Sequence, residues 1–147
     1  MKLLVTAFVV LLSVAILGSC AMHDGKADAA DSPGLSEQEC EKIKQDYCAK
    51  FAPSVKPTDL SLRVYAVFDD ACALFVDGPF VCITVVTSET VCGYTFVYSS
   101  SQRMYLYHSG HFFTISEAFE KGVVDQTQVE IIFRNFMLRE AKRDIAS

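Results

Sequence analysis

The chain has 147 residues, a formal net charge of −5, six cysteines and no tryptophan. That length is enough for one domain with a hydrophobic core. A mildly acidic chain without a basic block lacks the clustered Lys and Arg that phosphate contacts need, so nucleic acid is not expected as a partner.

Met1-Lys2 precedes LLVTAFVVLLSVAILG, an uncharged apolar run. One basic residue, an apolar core and then small residues form the secretory pattern, so residues 1–19 are expected to be a removable signal peptide and the protein to be exported. The run is short for a spanning helix, and no charge cluster follows it. Its end, Leu17-Gly18-Ser19-Cys20, resembles the lipobox of bacterial lipoproteins. The resemblance implies that Cys20 carries the lipids and becomes the first mature residue, tethering the protein to a membrane by more than one acyl chain. The alternative is an ordinary cleavage site, with Cys20 a thiol or disulfide partner. Localisation follows the same fork: a cell-envelope lipoprotein, or a secreted protein. Residues 20–34 are small, polar, breaker-rich and aperiodic, and read as a flexible tether. Residues 35–147 read as one domain.

Within that domain, Ser36 and Glu39 form a capping box that opens a helix. Cys40, Ile43, Tyr47 and Phe51 recur along one face of it, and Pro53 ends it. Cys40 and Cys48 stand about 12 Å apart along such a helix, too far to bond to each other. Leu62 to Phe68 alternates, with Leu62, Val64, Ala66 and Phe68 on one face and Arg63, Tyr65 and Val67 on the other. Asp69-Asp70 turns the chain. Ala71–Val76 and Phe80–Val86 are expected to be strands joined through Asp77-Gly78-Pro79, each apolar on both faces and so central or doubly covered. Thr87–Thr90 reads as a turn. In the next strand Cys92, Tyr94, Phe96 and Tyr98 share a face. Met104–His108 and His111–Phe113 form a hairpin about Ser109-Gly110, which sets His108 opposite His111 and Tyr107 opposite Phe112.

Thr114 and Glu117 form a second capping box, and Gly122 closes a short helix. Asp125 and Gln128 cap a longer last helix with Val129, Ile132, Phe133, Phe136 and Met137 as its core stripe. The fold class is therefore α+β: an N-terminal helix packed on one antiparallel sheet of about five to six strands, then a short and a longer C-terminal helix.

The run Gly93-Tyr94, Phe96, Tyr98, then Met104-Tyr105, Tyr107, Gly110, Phe112-Phe113, then Glu117-Ala118-Phe119 and Gly122-Val123-Val124, resembles a recurrent pattern in a family of small exported bacterial proteins of uncharacterised function. Together with the upstream helix the resemblance covers roughly residues 36–133. It implies the same fold and export, and it brings no catalytic residue. The chain departs from the pattern in its cysteines at 40, 48, 72, 82 and 92.

Candidate chemistry is sparse. Without Cys20 five cysteines remain, so at least one thiol is left over unless it pairs between chains. Cys72, Cys82 and Cys92 stand ten apart on consecutive expected strands. Bridges Cys72–Cys82 or Cys82–Cys92 are one reading, and buried free thiols acting as small hydrophobes are the other. No C-x-x-C occurs, which argues against thioredoxin-type and zinc-ribbon sites. His108 and His111 project as a pair but have no third ligand nearby in sequence, so no metal and no cofactor is expected. Asp69 and Asp70 point apart as turn residues, and Glu117 is explained by capping. No phosphate-loop, serine-hydrolase, zinc-protease or dinucleotide motif appears.

Two surfaces remain as candidates. One is the outward side of the sheet, with Tyr105, Tyr107, His108 and His111. The other is the back of the last helix, where Ile131, Leu138 and Ile145 recur at intervals of seven. Exposed, those three mark a partner face; otherwise the helix is buried on two sides or frays after Ala141. The first functional expectation is a non-catalytic, lipid-anchored domain that binds a protein or surface ligand, or inhibits one, by fold-level analogy. The alternatives are a small thiol- or metal-dependent enzyme and a secreted, disulfide-stabilised protein without an anchor.

Overall fold

Ser36 starts the first helix by a reciprocal exchange. Its hydroxyl accepts the Glu39 N–H at 3.2 Å, and Glu39 Oε2 accepts the Ser36 N–H at 2.8 Å. Helix α1 spans Glu37–Phe51 and buries Ile43, Tyr47 and Cys48. The computed structural model describes residues 34–81, 83–99 and 102–146. The expected signal peptide, Cys20, the tether to residue 33, and Cys82 lie outside the described residues.

Six antiparallel strands follow: β1 Ser61–Val67, β2 Ala71–Asp77, β3 Thr87–Val91, β4 Tyr94–Tyr98, β5 Tyr105–His108 and β6 His111–Phe113. Two helices close the chain, α2 Ile115–Glu120 and α3 Gln126–Ala146. The expected α+β class holds, but the strands form two sheets. One has four strands in the order β1-β2-β5-β6, and the other is the two-stranded ribbon β3–β4.

The four-stranded sheet is covered on both faces. Leu62 and Val64 of β1, Cys72, Leu74 and Val76 of β2, and Phe112 of β6 pack with Ile43, Tyr47 and Cys48 of α1. Ala71, Ala73 and Phe75 of β2 and Leu106 of β5 face the other way, into a core with Phe96 and Tyr98 of the ribbon, Ile115 and Ala118 of α2, and Val129, Ile132 and Phe136 of α3. Strand β2 has partners on both edges and both faces, which is why Ala71–Val76 is buried without alternation.

Five sequence expectations about single segments fail. Residues 80–86 form no strand among the described positions. The edges of β2 are taken by β1 and β5, so no edge is open to a third run. The reversal after β2 is also tight: Phe80 N–H bonds Gly78 O at 2.8 Å, and a Cβ on Gly78 would stand 2.6 Å from Leu60 Cδ2. Thr87–Thr90, expected as a turn, belongs to β3; the turn falls later, at Cys92-Gly93, where φ is 53° and 82°. Positive φ at both central residues is the hairpin geometry that matches strand twist. Cys92 thus leaves the face shared by Tyr94, Phe96 and Tyr98, although it still packs beside that core. In β1 the pairing shifts between Val64 and Ala66, so Ala66 joins Tyr65 on the C-terminal-helix side instead of following Val64. Met137, expected in the core stripe, is exposed.

The remaining helix and hairpin predictions hold. Ser109-Gly110 turns β5 into β6 with φ 49° and 80°, and the pairs Tyr107↔Phe112 and His108↔His111 form. Thr114 with Glu117, and Asp125 with Gln128, make their reciprocal capping bonds.

Candidate functional site

The α1 side of the sheet carries a cleft of about 160 Å³ between the helix and the β1–β2 turn. Its walls are Leu35, Ile43, Val67, Phe68 and Ala71, its floor includes Cys72, and its rim holds Glu39, Lys42, Asp69, Asp70 and Tyr107. One network runs along the rim. Tyr107 donates to Asp46 Oδ2 at 2.6 Å, and Lys42 Nζ donates to the same oxygen at 2.9 Å. Burial opposes ionisation of Asp46, but the Tyr107 hydroxyl, Lys42 and His111 outweigh it and hold the carboxyl below its usual range. Burial and the bond to Asp46 raise the Tyr107 hydroxyl. Lys42 and Asp46 are four apart on α1, a spacing that identifies helix ion pairs; the sequence reading passed over both.

A cysteine beside a Tyr–Asp–Lys network has the look of a nucleophile. Burial pushes the Cys72 thiol up to about 12, so it stays protonated and unreactive at neutral pH. Burial also raises Cys48, with help from Asp59 and Glu41. Cys40, Cys48, Cys72 and Cys92 are free. Cys72 lies in the α1-side core and Cys92 beside the opposite one, and the expected hairpin that would have aligned Cys72 with Cys82 does not form.

The sheet face expected to be outward is instead the α1 face. Tyr105 stacks on Phe51 at 5.2 Å and meets Tyr47 edge-on at 6.5 Å. Tyr107 tilts against Phe112 at 5.0 Å. Both tyrosines are therefore half-buried packing residues rather than an open stacking platform. His108 is held by the β1–β2 turn and His111 by its own hairpin. His108 Nδ1–H donates to Asp70 O and His111 Nδ1–H to Ser109 O, each at 2.9 Å, because a carbonyl can only accept. Among the described residues no group of three His, Cys, Asp or Glu side chains is arranged to hold a metal ion.

On the C-terminal-helix side, a second cleft of about 200 Å³ is lined by Arg63, Asp77, Tyr98, Phe136, Glu140 and Arg143 among others. Arg63 forks onto Asp77, with its Nη2 at 3.1 Å from Oδ1 and its Nε on Oδ2, and lies over the Phe75 ring at 4.8 Å. Tyr65 bridges Arg63 to Glu140. The charged groups Arg63, Asp77, Glu140 and Arg143 are all partnered within the protein, so the cleft reads as a brace between the sheet and α3.

The apolar surface is the more unusual feature. Val81, Ile83, Val85 and Val86 are all exposed, Val81 by 86% and Val86 by 72%. On α3, Ile131, Leu138 and Ile145 are exposed too, with Met137 beside them. The helix runs through Ala146 without fraying at Ala141, so the core alternative for these three side chains does not apply. Among the described residues no helix is long and apolar enough to cross a membrane. No protein-family model, curated protein or solved structure matches the chain.

Proposed function

We propose that this is an exported binding module, anchored by lipid at Cys20 and without a catalytic site of its own, that engages a protein partner through exposed aliphatic side chains. One observation carries the reading. Four aliphatic residues within positions 81–86, Val81, Ile83, Val85 and Val86, stand in solvent, although the run is as apolar as the buried strand before it. Contiguous exposed apolar patches mark protein or membrane interaction sites and ligand grooves. The α3 stripe of Ile131, Leu138 and Ile145 supports the same reading from a second element. The protonated Cys72 thiol counts against the thiol-enzyme alternative. Export and anchoring rest on the N-terminal pattern and on the likeness to small exported bacterial proteins.

A photo-reactive residue in place of Ile83, in the exported full chain, should give one discrete protein adduct that is absent when the same group replaces Lys50 on the polar side of α1. Equal adduct patterns from both positions, or none from Ile83, would refute the binding surface. The intact mass of the mature protein tests the anchor separately: a chain starting at Cys20 with added acyl mass is expected, and an unmodified mass rejects it.

A further inference from the structure

The cleft between α1 and the β1–β2 turn combines an apolar interior with a charged mouth. Its volume is about 160 Å³, and an apolar cavity of about 150 Å³ holds benzene. The buried part of the lining is apolar: Ile43 and Cys72 are 2% and 3% exposed, and Phe68 and Ala71 stand beside them. The turn that closes the cleft is fixed from two sides. Phe68 N–H bonds Ala71 O at 2.7 Å, and His108 Nδ1–H of β5 donates to Asp70 O at 2.9 Å. Tyr107 is pinned in turn to Asp46 of α1 at 2.6 Å. The walls are therefore set before a ligand arrives, which lowers the ordering cost of binding.

The mouth is acidic. Glu39, Asp69 and Asp70 stand there against a single cation, Lys42. The charge of Lys42 is already matched, because its Nζ donates to Asp46 Oδ2 at 2.9 Å. The acids are matched less well. Glu39 gives Oε2 to the Ser36 N–H, Asp69 is exposed, and Asp70, with 71% of its side chain exposed, has only the His108 ring at 3.6 Å from its Oδ2. The start of α1, where a helix draws anions, carries Glu37 and Glu39 in its first turn. An anionic ligand thus meets like charge from both the helix and the turn. A metal ion finds no set of three ligands among the described residues. We propose that this cleft binds a small organic cation, an ammonium group on a single-ring or short aliphatic body. The body fills the apolar interior, and the ammonium stays at the mouth between Glu39 and the Asp69-Asp70 turn. Charge at an exposed mouth adds selectivity more than affinity. The site is separate from residues 81–86: the cleft opens beside Ala71, at the start of β2, and the exposed run follows Asp77, at its end.

Titration of the full-length protein with phenethylammonium, followed through backbone amide shifts, tests this beside two probes of the same body, phenethyl alcohol and hydrocinnamate. The cation should shift the amides of residues 67–72 and of the first turns of α1. It should bind about three- to tenfold more tightly than the alcohol, as exposed charge pairs allow, and that preference should shrink as salt rises. The double variant Asp69→Asn, Asp70→Asn, in a turn that asparagine also favours, should remove most of the preference and leave the alcohol's binding unchanged. Absence of shifts at these amides, equal or tighter binding of the alcohol or of hydrocinnamate, or a preference preserved in the double variant would each overturn the proposal. None of these outcomes bears on the adduct formed at Ile83, so the cleft and the protein-binding surface fail separately.

Discussion

Two runs of similar composition, Ala71–Val76 and residues 80–86, meet opposite fates. The first is the most buried strand of the protein, with Ala73 and Leu74 wholly inaccessible, while the second exposes Val81, Ile83, Val85 and Val86. Strand propensity favours the wrong run, because Phe80, Val81, Ile83, Thr84, Val85 and Val86 are β-formers and the buried run holds only Phe75 and Val76 of that kind. What separates them is access to an edge. β1 and β5 flank β2, and α1 and the C-terminal helices cover its two faces. The second run begins just as Gly78 turns the chain away, under close contact with Leu60 and Phe80. Burial is thus assigned by position in the sheet order, and a strand-like run left outside that order becomes surface.

This contrast can be broken from the buried side first. Leu74→Ala removes a side chain enclosed on every side and should destabilise the domain by about 2–5 kcal/mol, read by denaturant unfolding. A loss below about 1 kcal/mol would mean that β2 is not the centre of the core. A smaller effect is expected at the turn between the runs. Gly78→Ala places a methyl group against Leu60 and the Phe80 ring, and should cost about 1–3 kcal/mol as those side chains shift. Calorimetric melting of the variant would show it, and an unchanged midpoint would remove the turn's part in setting the runs apart. The smallest effect belongs to the exposed run. Ile83→Ser should alter stability by no more than about 0.5 kcal/mol while weakening partner capture. A loss comparable to that of Leu74→Ala would show residue 83 buried in solution and end the surface reading.

The features legible in the sequence were those encoded over four residues or fewer. Ser36/Glu39, Thr114/Glu117 and Asp125/Gln128 announce three helix starts because a capping box satisfies its own backbone groups without distant help. The Ser109-Gly110 hairpin was legible for the same reason, and with it the facing of His108 and His111. The candidate sites were less legible. Tyr105 and Tyr107 alternate correctly, but alternation does not say which face a helix will cover, and α1 covers theirs. Glu89 was assigned to a turn because Thr-Ser-Glu-Thr is polar, whereas in the ribbon it is the only charged side chain of β3 and points inward. The Ile131, Leu138 and Ile145 stripe was visible as a period of seven, but its exposure was not, because exposure depends on which face of α3 the sheet takes.

By itself the sequence determined the α+β class, the helix starts, the β5–β6 hairpin and most members of the two core clusters. These follow from local hydrogen-bond closure and from side-chain periodicity, which act wherever the segment finally sits. The tertiary structure alone decided that the strands split into a sheet of four and a ribbon of two, that Tyr65 and Ala66 of β1 share a face, that the run after Gly78 stays in solvent, and that the Glu89 side chain of the ribbon is buried. Each of those outcomes is a competition between distant segments for a limited number of strand edges and sheet faces, and no stretch of chain carries the other competitors' claims within it.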